Sequence, residues 1–162
     1  MEFKLGPHET LTESSSDWMF EQDGSAQEVE SAMIKFMLEN NGIGLAANQV
    51  GIAKNFFVMG SKTIPGFEPL GIFNPKILEC SEETELFKEG CLSYPNLWLS
   101  IKRPKEIVVE YQDSTGAIHT AKINGLMSRV FQHEFDHLNG ICFVDRVSQM
   151  KLQLAMKKLR KS

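Results

Sequence analysis

His133 and His137 stand four residues apart in Gln132-His133-Glu134-Phe135-Asp136-His137, a spacing that carries chemistry only on a helix. A helix turns about 100° per residue, so both imidazoles fall on one face, a turn apart, where they can reach a single metal ion. Glu134 points to the side of that pair, placed to take a proton from a water beside the ion, as in metal-dependent hydrolases. The same five residues also read as a helix with two chance histidines, one buried and one solvated, because short patterns match by accident. Either way the chain must build a helix here, and its apolar spacing runs from about Gly125 to Leu138 before Asn139-Gly140 stops it.

The other elements follow from periodicity and turn chemistry. Residues 24 to 41 read as a second long helix, with Val29, Ala32, Met33, Phe36 and Met37 on one apolar face. Ser25 and Glu28 form a capping box at its start, and Asn40-Asn41-Gly42 ends it. Asn55 to Gly60 is a short aromatic and β-branched run; a loop follows around Pro65-Gly66, with extended segments near 71 to 78 and 83 to 88. Ile107 to Gln112 and Ala117 to Ile123 flank Asp113-Ser114-Thr115-Gly116 and read as a hairpin. Strands gathered between two helices, without βαβ alternation, predict an α+β fold.

A length of 162 residues suits one catalytic domain spanning 1–162. Hydrophobic residues at 42% and charged residues at 23% match a soluble globular chain, and with no run of about 18 apolar residues no membrane partner is expected. The start, Met1 to Pro7, lacks the features of a signal or transit peptide and reads as cytoplasmic, or as an organellar protein already trimmed. Three cysteines without framework spacing argue against a disulfide scaffold; Cys80 and Cys142 read as structural thiols, and His8 and His119 as surface residues. The net charge of −4 conceals a basic tail: residues 146 to 162 hold six basic residues and no acid. The acidic body is expected to bind no DNA, while the tail can meet a polyanion. Leu152, Ala155, Met156 and Leu159 make one stripe of an amphipathic helix at about 147–160.

The third metal ligand decides the subclass. The metzincin pattern that opens like His133 to Gly140 closes with a histidine, and position 143 here is Phe143. Asp145 stands too close after the helix to reach back. Cys91 is the upstream candidate, because a thiolate suits zinc or iron(II) and Gly90 lets the backbone come close. A small buried hydrophobe is the other reading of Cys91.

Three ordered motifs, Gly42-Ile43-Gly44-Leu45-Ala46-Ala47-Asn48-Gln49, Glu89-Gly90-Cys91-Leu92-Ser93 and His133-Glu134-Phe135-Asp136-His137, resemble those of peptide deformylase, best over residues 42 to 145. The resemblance implies mostly antiparallel sheets packed around a central helix that carries the histidines. It implies removal of the formyl group from N-formylmethionine on nascent peptides. Cys91, His133 and His137 would bind one divalent ion, Fe2+ or Zn2+, with Glu134 as the proton carrier. The Gln49 side-chain amide and the Leu92 backbone N–H would face the developing oxyanion. Gly42 and Gly44 would allow unusual dihedrals and close approach of a peptide paired as an added strand. Ile43, Leu126 and Val130 would line the methionine pocket, with Gly44 and Gly90 against the substrate. Glu89, Arg103 and Asp136 would orient the ligands. In many bacterial members a carboxy-terminal helix meets the ribosome, so the resemblance implies the ribosome as a partner of the tail; a solvated helix packed on its own domain is the other reading.

Two positions depart from the family pattern. Trp98 stands where many bacterial members have a substrate-contacting arginine, predicting a more apolar rim. Arg129 stands where many have an apolar residue, and reads as a solvated helix arginine or a replacement contact. An endopeptidase, a cysteine hydrolase using Cys91, and a silent binding module are the competing readings.

Overall fold

A computed structural model describes residues 1–162. In chain order it contains α1 (Ala26–Glu39), β1 (Gly44–Ala46), β2 (Phe56–Met59), β3 (Leu70–Cys80), β4 (Thr84–Cys91), β5 (Tyr94–Pro104), β6 (Glu106–Gln112), β7 (Ile118–Asn124), α2 (Gly125–Leu138) and α3 (Gln149–Arg160). Five strands form one antiparallel sheet in the order β1-β2-β3-β6-β7, and β4 and β5 form a separate hairpin. The α+β class predicted above is the class observed.

β2 explains how the layers meet. All four of its residues are buried, because both faces of the sheet are covered there. Side chains alternate along a strand, so Phe57 and Met59 face α2, with Val130, Phe131 and Leu138, while Phe56 and Val58 face α1, with Met33 and Met37. Phe56 stacks on Phe73 at 4.9 Å between ring centroids, and Phe57 meets Phe131 edge-on at 5.1 Å. Each such buried side chain contributes roughly 1.5–3 kcal/mol. α2 is thus held between the sheet and the hairpin, and from Ser128 to Leu138 every residue except Phe135 is buried. No helix is long and apolar enough to cross a membrane.

A third apolar cluster joins Leu97, Leu99 and Ile101 of β5 to Phe143, and Leu152, Ala155, Met156 and Leu159 of α3 pack on it. The tail stripe is therefore used within the chain. Ser148 caps α3 by accepting from Lys151 N, which starts the helix at Gln149, slightly later than the stripe suggests.

Several local expectations need correction. α1 is shorter than 24 to 41, and only half of its capping box forms: Ser25 Oγ accepts from Glu28 N at 3.2 Å. Asn41, at φ 59°, supplies the left-handed stop, and Gly42 N closes it onto Met37 O at 2.9 Å. Cys80 is exposed at the end of β3, so only Cys142 is a core thiol. His8 and His119 do lie outside the core as expected, but each has a partner: His119 is tied to Asp113 Oδ2 at 2.6 Å and stacks on Tyr111, and His8 caps a short turn at Glu9–Leu11. β5 has no counterpart among the predicted strands, although Leu97, Leu99, Ile101 and Arg103 alternate inward along it.

Candidate active site

α2 presents His133, Glu134 and His137 toward the hairpin, and a register shift in the hairpin brings Cys91 to meet them. Gly90 pairs with Trp98 but Cys91 pairs with Tyr94, so the residues between bulge out, with Asn96 at φ 63°. Such a bulge bends the strand and re-aims its side chains. The ligand atoms of Cys91, His133 and His137 all lie within 4.8 Å of one another, and Cys91 Sγ is 3.4 Å from His137 Nε2.

These residues fit a divalent ion. Glu89 Oε1 holds His133 Nδ1 at 2.8 Å, which leaves the Nε2 side of that ring for a ligand bond. Burial holds His137 well below the ordinary histidine value, the direction that favours the neutral imidazole a ligand needs. Glu134 is 4% exposed, and its Oε2 is buried without a hydrogen-bond partner beside the three donors. Burial, the largest influence, pushes the Glu134 carboxyl up to about 7 against the pull of His133.

Gln49 enters from the turn at Ala47–Val50 that follows β1. Its Oε1 accepts from Ala46 N at 2.9 Å, which fixes which end of the amide is which. Nε2 donates to Ser93 Oγ at 3.1 Å and lies 3.5 Å from Cys91 Sγ, so its second N–H is aimed at the metal-ligand cluster. Leu92 sits between Cys91 and Ser93 at the turn of the hairpin. Asn48 Nδ2 donates to the His137 carbonyl from the same turn as Gln49.

Behind the ligands lies a buried charge network. Arg103 donates to Glu89 through Nε at 2.7 Å and Nη2 at 3.0 Å, and to Asp136 through Nη1 at 2.8 Å. Arg146 adds two bonds to Asp136 at 2.6 and 3.0 Å. Burial works against the Glu89 charge, but the bonds from His133 and Arg103 hold its carboxyl well below the usual carboxylate range. Arg129 is not solvated: it is 8% exposed, and it donates to Glu89 Oε2, Ile101 O and Glu85 O, each at 2.8 Å. Its guanidinium also sits 5.8 Å from the centre of the Phe87 ring.

A cleft of about 590 Å³ opens over this assembly. Ile43, Gly44, Gly90, Leu126 and Val130 all line it, together with Gln49, Cys91, Leu92, His133 and Glu134. Arg103 and Asp136 lie behind the wall. Trp98, 57% exposed, stands at the rim.

The glycines act by size. Neither Gly42 nor Gly44 has a positive φ, so unusual dihedrals are not their reason. A Cβ on Gly44 would lie 2.4 Å from Glu134 Oε1, and one on Gly42 would lie 2.7 Å from Leu92 Cδ1. Gly90 makes room for Trp98, whose ring a Cβ would approach to 2.9 Å. Ser93, Asn48 and Arg146 are site residues that pattern reading left without roles. For Ser93 the signal was its place two residues after Cys91.

The polypeptide deformylase family model matches residues 2–153. A peptide deformylase of Thermotoga sp. strain RQ2 is 45% identical over 137 residues, covering 85% of this chain and 81% of the relative. One from the Wolbachia of Brugia malayi is 40% identical, covering 97% of this chain and 92% of its own. Among solved structures, the Synechococcus elongatus peptide deformylase in complex with actinonin superposes with a TM-score of 0.88 at 35% identity, over 98% of this chain and 85% of its own. Similarity of that reach in both sequence and backbone places this chain in the peptide deformylase family.

Proposed function

We propose that this chain hydrolyses the formamide bond of N-formylmethionine at the start of nascent peptides, releasing formate. The observation that carries this reading is the meeting of Cys91, His133 and His137 with Glu134 alongside and the Gln49 amide aimed inward.

Cys91, His133 and His137 would hold one divalent ion, Fe2+ or Zn2+, which supplies Lewis acidity that makes water a nucleophile near neutral pH. Glu134 takes the proton of the attacking water and returns it to the leaving amine. Gln49 Nε2 and the Leu92 N–H donate to the formyl oxygen as its charge grows, each such donor being worth roughly 2.7–4 kcal/mol of barrier. Val130, Leu126 and Ile43 surround the methionine side chain. β1 is an edge strand whose free side can pair with the peptide main chain. Glu89, Arg103 and Asp136 keep the His133 ring oriented.

The whole chain acts as one catalytic unit in the cytoplasm of a bacterium or a phage-infected host, a reading supported by its bacterial relatives. Lys151, Lys157, Lys158, Arg160 and Lys161 leave α3 a basic outer face for ribosomal RNA; Arg146 does not join it, being bound to Asp136. Reversing Lys157 and Lys158 to Glu should weaken co-sedimentation with ribosomes, and equal sedimentation would remove that partner.

One assay tests the chemistry: formate release from a formyl-Met peptide, with and without chelator, beside an unformylated control and Glu134→Gln. Release should require metal and fall by about 10²–10⁴-fold in the variant. Cleavage of the control peptide alone would show an endopeptidase instead, and chelator-resistant release a cysteine hydrolase.

A further inference from the structure

Residues 3 to 6 lie across the two turns that carry the oxygen-facing donors. Lys4 N donates to Gln49 O at 2.7 Å, and Gly6 N donates to Ser93 O at 2.7 Å. The segment is anchored at both ends. Phe3 packs on Phe36 of α1 with ring centroids 4.6 Å apart. Gly6 is pressed against the Tyr94 ring so closely that a Cβ there would lie 2.0 Å from Cζ. Phe3 and Leu5 also form part of the cleft wall.

Those contacts matter because the two turns belong to different sheets. Gln49 follows β1 of the five-stranded sheet, whereas Leu92 joins β4 and β5, and the sheets share no strand pairing. Ladder hydrogen bonds therefore do not set the distance between the Gln49 amide and the Leu92 N–H. What joins the turns directly is the Gln49 side chain, through Nε2 to Ser93 Oγ at 3.1 Å and to Cys91 Sγ at 3.5 Å, and the backbone bonds of Lys4 and Gly6. Donors aimed at a developing oxyanion must keep their places to within about half an ångström. From this geometry we infer that residues 3 to 6 form a strap that sets the spacing of the two oxyanion donors, with the Lys4 backbone N–H as a positioning group. The inference rests on the deformylase reading of Gln49 and Leu92.

Lys4→Pro removes that N–H and Lys4→Ala keeps it, although the proline ring also fixes φ at residue 4 and restricts Phe3. Both are compared as metal-loaded full-length protein by kcat and KM on a formyl-Met peptide, unfolding midpoint, and hydrogen exchange of the Ala46 amide, which donates to Gln49 Oε1 at 2.9 Å. The strap requires a kcat about tenfold or more lower for Lys4→Pro than for Lys4→Ala, with KM within about twofold and similar midpoints. It also requires faster Ala46 exchange in Lys4→Pro, because a loosened Gln49 side chain frees that amide. Equal kcat and equal exchange in the two variants overturn it, as does a kcat loss that merely follows the unfolded fraction. Should Lys4→Pro not fold, Gly6→Ala strains the other bond against Tyr94, and the same kcat and exchange changes relative to wild type are required. Wild type that releases no formate defeats the deformylase reading instead, and Ala46 exchange then decides the strap alone.

Discussion

Gly44→Ala is the sharpest single perturbation of the site. The added methyl would stand 2.4 Å from Glu134 Oε1 and 2.9 Å from Val130 Cγ1, where ordinary contacts begin near 3.4 Å. The backbone cannot easily yield, because β1 is paired with β2 from Gly44 to Ala46 and both Leu45 and Ala46 are fully buried. The Glu134 carboxylate is the free end of a side chain and moves first, by about 1 Å to restore contact distance. A misplacement of that size costs on the order of 100-fold in rate, or about 2.7 kcal/mol of barrier. The crowding of Val130 adds an overpacking loss of roughly 1–3 kcal/mol in stability. Formate-release kinetics and urea unfolding on the same preparation separate the two effects. The expected pattern is a kcat about 100-fold lower, a nearly unchanged KM and a protein that is still folded. A folded variant whose kcat stays within about threefold of wild type would refute the claim that Gly44 makes room for Glu134. A rise in KM alone would instead mean that the methyl blocks the peptide.

Three further outcomes follow from the charge network and the turn between β6 and β7. Arg103→Met strips buried Glu89 and Asp136 of a shared partner, a change that usually costs about 3–5 kcal/mol. Arg129 and Arg146 remain, so urea unfolding should show a loss near the lower bound, and a loss under about 1 kcal/mol would mean the network is redundant. Arg129→Leu removes three hydrogen bonds between α2 and the hairpin and should destabilise by roughly 2–4 kcal/mol; wild-type stability would return Arg129 to a solvated role. Bonds from Thr115 and then His119 hold the Asp113 carboxyl well below the usual carboxylate range. A carboxyl depressed in the fold stabilises above its unfolded pKa of about 3.9 and loses that contribution as pH falls toward its folded value. The stability gap between wild type and Asp113→Ala should therefore be full at neutral pH and shrink in acid, and a gap that widens in acid would reverse the assignment.

What the chain encodes locally was readable from its residues alone. The limits of α2, the cap at Ser25, the Asp113 to Gly116 turn and the shared face of His133 and His137 all depend on neighbours a few residues away, where periodicity and capping chemistry act. Resemblance of the three motifs also named the set of residues that meets in the cleft. The reasons for many of them needed the tertiary structure. Arg129 on its own helix is an ordinary surface arginine; it is buried because Glu89, Ile101 and Glu85 arrive from the hairpin with acceptors that no local pattern announces. Gly44 is small because Glu134, ninety residues later, occupies the place of its missing side chain. Cys91 reaches the histidines through a register shift, and register is set by packing between strands. Local sequence chose the helix that carries the chemistry, whereas long-range packing and the pairing of buried charges decided how closely the rest of the site is drawn around it.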